Sequence, residues 1–168
     1  MSSTPDRPSV PLTAAVLTVS DSVAAGSRQD LSGPAVAALL TENNFQVVLT
    51  EVVPDRRSEI ERALVHLVRR VRLVITTGGK GIALRDVTPE ATRNVCERLL
   101  EGVAERMRAE GIKKTPLAAL SRGLCGVRDH SLLLNLPGSP SGATESLAAV
   151  IGILPHALEL LAGKTDHK

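Results

Sequence analysis

One stretch in the middle of the chain, LVITTGGKGIALRDVTPE at residues 73–90, constrains the fold more than any other. It opens on a short apolar run in which Val74, Ile75, Thr76 and Thr77 are β-branched, the signature of a buried strand. The run stops at Gly78-Gly79, and Gly81 follows after Lys80. Three glycines in four positions remove the Cβ atoms that would keep a ligand away from backbone N–H groups. Arg85 and Asp86 then precede Thr88-Pro89-Glu90, where Thr88 suits an N-cap and Pro89 the first helical position. A strand end, an open loop, a charged pair and a helix start within eighteen residues form a unit of an α/β sheet. Strand ends and helix N-termini of such sheets favour anionic ligands.

The rest of the chain repeats the alternation. Residues 14–19 (AAVLTV) form a wholly apolar, central strand that runs into Ser20-Asp21-Ser22. A polar, flexible loop over 23–33 leads to a helix opened by Pro34, with Val36, Leu39 and Leu40 as its stripe. A second strand, 45–53, ends at Pro54-Asp55. Ser58 and Glu61 have capping-box spacing ahead of Ile60, Leu64, Leu67, Val68 and Val71 at helical period. Past the glycine loop, one long helix is expected from Pro89 to about Ala109, with Ala91, Val95, Leu99, Val103 and Met107 facing inward. Residues 111–122 read as a linker and 131–136 (SLLLNL) as the last strand, ending at Pro137-Gly138-Ser139-Pro140-Ser141-Gly142. A final helix from Ser141 carries Leu147, Val150, Ile151 and Leu154 and is broken by Pro155. Residues 1–11 are expected to be a disordered lead-in, 12–164 a single domain and 165–168 a tail. Strand, helix, strand, helix, strand implies right-handed crossovers and a mainly parallel sheet.

Composition narrows the function. The 168 residues are 43% hydrophobic and 23% charged, but contain no Trp, no Tyr and one Phe, Phe45. An aliphatic core of this kind suits helices packed on a buried sheet, and it offers no stacking platform for single-stranded nucleic acid. A net charge of +2 gives no polyanion footprint, so a nucleic-acid partner is not expected. Cys96 and Cys125 have neither metal nor disulfide-framework spacing and read as buried thiols. Without a signal peptide or an apolar run of about 18 residues, no membrane association is expected and the chain reads as cytoplasmic.

Familiar motifs are absent from the loops. The third glycine of a dinucleotide fingerprint would fall at Leu84, and Lys80 is followed by Gly81 where a P-loop needs Ser or Thr. Residues 138–142 place proline inside what would be a nucleophile elbow. His66, His130, His156 and His167 are scattered, without metal-ligand spacing. Four polar strand ends remain: Ser20-Asp21-Ser22, Pro54-Asp55, residues 78–86 and residues 137–141. A doubly wound sheet lines them along one edge, where they frame a single crevice. Asp21, Asp55 and Asp86 are its candidate carboxylates, either holding Mg²⁺ against phosphates or capping local turns, with Asp86 paired to Arg85.

These residues also carry a family resemblance. TTGGKGIALRDVTPEAT resembles the TGGTG…RDVTPEA signature of the molybdopterin-binding domain of bacterial MogA/MoaB proteins and gephyrin-type G domains. LTVSDSVAAGSRQDLSG, VVPD and LNLPGSPSG resemble the family's other segments, in matching order over residues 13–164. The resemblance implies a three-layer α/β sandwich with a mixed, mostly parallel central sheet, assembled as a homotrimer. It implies molybdenum cofactor biosynthesis: Mg-ATP adenylylates molybdopterin, pyrophosphate leaves, and a partner protein inserts molybdate. The alternative within the same fold is a non-catalytic molybdopterin carrier or scaffold. By position, Asp86 matches the family's essential catalytic carboxylate and Asp55 a second functional aspartate; Asp86 or Asp55 is expected to orient Mg²⁺. Ser20, Asp21, Gly78, Gly79, Lys80, Gly81, Arg85, Thr88, Pro137, Gly138, Ser139 and Ser141 match the segments that bind ATP and molybdopterin. One departure stands out: Lys80 replaces a small hydroxyl residue. Aimed into the crevice it adds a phosphate partner or fills space the nucleotide needs; aimed outward it changes little.

Overall fold

The computed structural model describes residues 10–164; residues 1–9 of the expected lead-in and the tail at 165–168 lie outside them. Val10, at the edge of that lead-in, is already buried. The chain runs β1 (Thr13–Val19), α1 (Asp21–Ala24), α2 (Ser32–Glu42), β2 (Gln46–Val53), α3 (Arg57–Val68), β3 (Leu73–Thr77) and α4 (Thr88–Val95). It continues through β4 (Arg98–Leu99), α5 (Glu101–Ile112), a 3-10 turn (Pro116–Leu120), β5 (Cys125–Arg128) and β6 (Ser131–Leu136). Helix α6 (Pro140–Val150), a 3-10 turn (Ile151–Ile153) and α7 (Leu154–Leu161) complete it.

Six strands form one sheet in the order β2-β1-β3-β6-β5-β4. The first four are parallel; β5 and β4 join antiparallel. The sheet is therefore mixed and mostly parallel, with helices on both faces. Strand residues alternate between two cores, as the period of two requires. Ala14, Val16, Leu73, Ile75, Leu132 and Leu134 pack with α2, α5, α6 and α7, whereas Ala15, Leu17, Val74 and Leu133 pack with α3 and α4. Strand β2 lies at an edge, and every second residue is exposed.

The single long helix expected from Pro89 does not form. Helix α4 ends at Val95, Cys96 is extended (φ −81°, ψ 141°), and Arg98–Leu99 pair antiparallel with Val127 and Gly126. The intervening residues are good helix formers, but strand pairing and the seating of Cys96 over Gly126 override local preference. A Cβ on Gly126 would stand 2.4 Å from Cys96 Sγ. The expected linker holds the 116–120 turn, capped by Thr115. Strand β5, absent from the sequence reading, follows it and joins β6 through a reversal where Asp129 takes φ 52°.

Two caps also differ. Arg56, not Ser58, occupies the N-cap of α3, and Glu61 accepts from Arg57 Nε and Asn94 Nδ2 instead. Thr88 lies inside α4, with Val87 at the N-cap. Pro155 falls in the first turn of α7, where its missing N–H is harmless. Residues Pro140–Leu161 are long and apolar enough for a membrane span by length and composition. The 3-10 turn interrupts them, however, and Leu147, Val150, Leu154 and Leu158 are consumed by the sheet-facing core.

Candidate functional site

The carboxyl ends of β1, β2, β3 and β6 converge on a crevice of about 610 Å³. Of the residues singled out from sequence, Ser20, Asp21, Asp55, Gly78, Gly79, Arg85, Asp86, Gly138 and Ser139 line it. Gly81, Thr88 and Ser141 do not, and Lys80 and Pro137 face a second cavity.

Reciprocal hydrogen bonds fix the first two loops to each other. The Asp21 amide donates to Asp55 Oδ2 (3.0 Å), and the Asp55 amide donates to Asp21 Oδ1 (2.9 Å). The two carboxylates thus cap each other's turns while one oxygen of each stays uncommitted. Burial pushes the Asp55 carboxyl above its ordinary value of 3.8; the Asp21 amide and Arg85 oppose this, while the charges of Asp21 and Asp86 reinforce it.

Gly78 and Gly79 both adopt left-handed φ, +92° and +68°. A Cβ on Gly78 would stand 2.4 Å from Val19 O; one on Gly79 would stand 2.3 Å from Thr88 Oγ1. Glycine is therefore required twice over, by conformation and by space. The Gly78 N–H donates to Leu136 O (3.1 Å), closing the loop onto β6 rather than onto a ligand. Thr88, fully buried, supports the loop from below, its amide donating to Gly79 O (3.1 Å).

Asp86 is oriented by its own loop and forms no ion pair with Arg85: Oδ2 accepts from the Ala83 amide at 3.0 Å. Arg122, read from sequence only as part of a linker, holds that loop in place. Its Nε donates to Gly81 O (2.8 Å), its Nη2 to Asp86 O (2.7 Å) and its backbone N–H to Lys80 O (3.0 Å). Its Nη1 pairs with Glu90. Partial burial pushes the Glu90 carboxyl up, and the Arg122 hydrogen bond and charge outweigh it, leaving it below 4.5.

Sequence reading also missed the crevice floor. Thr18 Oγ1 donates to Asp30 Oδ2 (2.7 Å), the Gly33 amide donates to Asp30 Oδ1 (3.0 Å), and Ser32 Oγ donates to Thr77 Oγ1 (3.0 Å). These bonds pin the 23–33 loop, expected to be flexible, so that Arg28 and Asp30 line the site. The signal was present: Thr18 and Thr77 are hydroxyl residues near the ends of otherwise apolar strands. On the far side, Ser139 caps α6, accepting from Gly142 N at 3.2 Å.

Four carboxylates (Asp21, Asp30, Asp55, Asp86) and two guanidiniums (Arg28, Arg85) thus line the crevice. Among the described residues no group of three or more Asp, Glu, His or Cys is gathered as a metal cage.

Residues 15–156 match the family model described as "Probable molybdopterin binding domain". The chain belongs to the molybdopterin-binding domain family. It is 43% identical over 152 residues to a molybdopterin adenylyltransferase of Helicobacter pylori, covering 88% of this chain and 86% of that protein. It is 42% identical over 154 residues to the Drosophila melanogaster molybdenum cofactor synthesis protein cinnamon, covering 89% of this chain and 26% of that longer protein. Among solved structures, the molybdopterin biosynthesis enzyme MoaB of Thermus thermophilus superposes with a TM-score of 0.86 at 49% identity, covering 91% of this chain and 98% of that one. The family's mixed sheet with helices on both faces is the fold observed here.

Proposed function

We propose that this chain is a molybdopterin adenylyltransferase of molybdenum cofactor biosynthesis, with ATP and molybdopterin as substrates. The observation that carries the reading is the convergence of Asp55 and Asp86 on one crevice at four parallel strand ends. In the reaction, the terminal phosphate of the pterin attacks the α-phosphorus of ATP. A new P–O–P bond forms, the α–β bridge bond breaks, and its electron pair leaves on pyrophosphate. Such a transfer needs positioning and charge neutralisation rather than a strong base, in keeping with a crevice without histidine.

An acid-rich crevice does not attract triphosphate unaided. The nucleotide brings Mg²⁺, which shields phosphate charge and commonly takes only one or two protein carboxylates. The uncommitted oxygens of Asp55 and Asp86 fit that hard-oxygen role, and the missing three-residue cage is no obstacle to it. Arg85, whose charge reaches Asp55, adds a cation at the rim, and the α6 N-terminus contributes a positive dipole end behind Ser139. With the Gly78 N–H engaged, the Gly79 N–H, which lines the crevice, is free to meet phosphate.

Lys80 lines the second cavity and not this crevice, which supports the catalytic reading over the carrier. We further infer a homotrimer, in which the exposed Ile112, Leu117 and Leu120 supply apolar contact area, and transfer of the adenylylated pterin to a molybdate-inserting partner. The test is turnover of Mg-ATP with molybdopterin, following pyrophosphate and the AMP-pterin product. Asp86→Asn is expected to lose at least about 100-fold in kcat. An Asp86→Asn protein with full turnover removes Asp86 from the role assigned, and a wild-type protein that binds pterin without ATP turnover is a carrier.

A further inference from the structure

The 23–33 loop is fixed on both sides of Arg28. Before it, the Ser27 amide and hydroxyl both donate to Ser22 O, at 3.0 and 3.1 Å, around the left-handed turn at Gly26 (φ +78°). Beyond it, Asp30 accepts from Thr18 Oγ1 on one oxygen and from the Gly33 amide on the other. Asp30 is thereby committed to the fold. Among the described residues Arg28 has no carboxylate within 4.0 Å. The loop thus holds an exposed, unpaired guanidinium on a tethered backbone, in the wall of a crevice lined by four carboxylates.

The two guanidiniums of the crevice are not equivalent. Arg85 belongs to the Asp55 side: its charge acts on Asp55 together with those of Asp21 and Asp86, and Arg28 is not among the groups that do. Arg85 is therefore offset locally by carboxylates, whereas Arg28 enters from another element with its charge unspent. An acid-lined wall opposes every phosphate brought against it, most of all one on which charge is growing. In adenylyl transfer that group is the leaving one. As the α–β bridge bond breaks, its electron pair passes to the bridge oxygen, which departs with pyrophosphate. A guanidinium suits such a group, because its planar fork donates parallel N–H bonds to phosphate oxygens and keeps its proton.

We propose that Arg28 is the leaving-group residue of this chain: it hydrogen-bonds the β- and γ-phosphates and stabilises the charge that builds on pyrophosphate as the bond to the α-phosphorus breaks. The proposal rests on the adenylyltransferase reading for the reaction and on the loop for the residue. The attacking pterin phosphate supplies the oxygen of the new P–O–P bond, and Arg28 stays protonated throughout. Its hydrogen bonds strengthen as charge develops, so it acts on kcat more than on the binding of the acceptor.

Magnesium pyrophosphate and AMP, titrated separately into the intact protein by calorimetry, test this without turnover. Arg28→Met should weaken pyrophosphate about 10-fold or more and leave AMP within about twofold. Arg28→Lys keeps the charge but not the fork, and should fall between. Arg28 is exposed, so the Tm of either variant should match wild type, which separates lost binding from misfolding. No pyrophosphate binding by wild type, equal affinity in Arg28→Met, or an equal loss for AMP overturns the proposal. In turnover, Arg28→Met should lower kcat about 10-fold or more, with KM for molybdopterin within about twofold. A raised KM for molybdopterin at unchanged kcat refutes the leaving-group role. Pyrophosphate binding without turnover in wild type sinks the adenylyltransferase reading, while the titration still decides whether Arg28 holds the diphosphate.

Discussion

Replacing Arg122 should loosen the loop that carries Asp86 while leaving the sheet intact. Arg122 sits outside the crevice, yet its guanidinium ties together Gly81 O, Asp86 O and Glu90. Hydrogen bonds from a charged donor contribute roughly 1.5–3 kcal/mol each, and the partly exposed loop argues for the lower end. The Glu90 pair, with both side chains more than a third exposed, adds about 0–1 kcal/mol after solvent screening. The sum for Arg122→Met is about 3 kcal/mol of local stability, or roughly 100-fold in the opening equilibrium. Amide hydrogen exchange across residues 79–87 should accelerate by that factor, with β1, β3 and β6 unchanged. Arg122→Lys retains the charge but not the fork that reaches three acceptors, so about 10-fold is expected. Exchange within about twofold of wild type in Arg122→Met would show that the loop is held by its own contacts, the Ala83 N–H to Asp86 bond among them, and that the clamp is incidental.

Gly79→Ala places a β-carbon 2.3 Å from Thr88 Oγ1 at φ +68°, and combined strain and overpacking should cost about 2–4 kcal/mol, read as a fall in Tm of roughly 5–15 °C. Asp55 holds its proton more tightly folded than unfolded, so its contribution to stability falls as pH rises from 3.8 through the raised folded value. Asp55→Asn should therefore gain on wild type at about pH 7 and lose that advantage below about pH 3.8 in denaturant titrations. Burial pushes Cys96 up to about 11 and Cys125 up to about 12, from 9.0. At about pH 8, disulfide reagents should modify Cys96 at least about 100-fold more slowly than an unperturbed thiol, and fast labelling of the native protein would contradict the burial seen here.

The parts of the fold that were legible in sequence are those specified locally. Leu73–Thr77 was read to the residue because an unbroken β-branched run ends at glycine, and the other parallel strands were placed within a residue at each end. What escaped was structure set by partners. Strand β4 exists because Val127 and Gly126 pair with Arg98–Leu99, and nothing in the helix-forming CERLLE sequence announces that. The site divides in the same way. Strand-end carboxylates and glycines were legible, because a doubly wound sheet gathers strand ends by construction. The hydroxyl floor, the Arg122 clamp and the direction of Lys80 depend on contacts 12 to 59 residues apart in sequence.

Uncompensated charge lies at one end of the sheet: partly buried Asp55 sits among like charges, and Lys80 and Arg108 repel each other without a carboxylate partner among the described residues. At the opposite end the polar groups are matched: Ser131 Oγ donates toward Val68 O and Val71 O, and the Arg72 amide bonds Thr13. Such an asymmetry is expected where ligands supply the missing partners, and stability is forgone in their absence. Its sign is fixed for both groups. A lowered Lys80 value means that stability rises as pH climbs through the folded value toward 10.5, and neutralising Lys80 captures that gain at about pH 7. Lys80→Thr and Asp55→Asn should each raise the Tm of the unliganded protein. Asp86 reports on both groups, with opposite sign, so the double variant measures whether the two sites are coupled through it. Additive Tm gains would mean independent sites, and a gain beyond the sum would mean that the Asp55 carboxylate already offsets part of the Lys80 charge, a favourable interaction that each single variant loses.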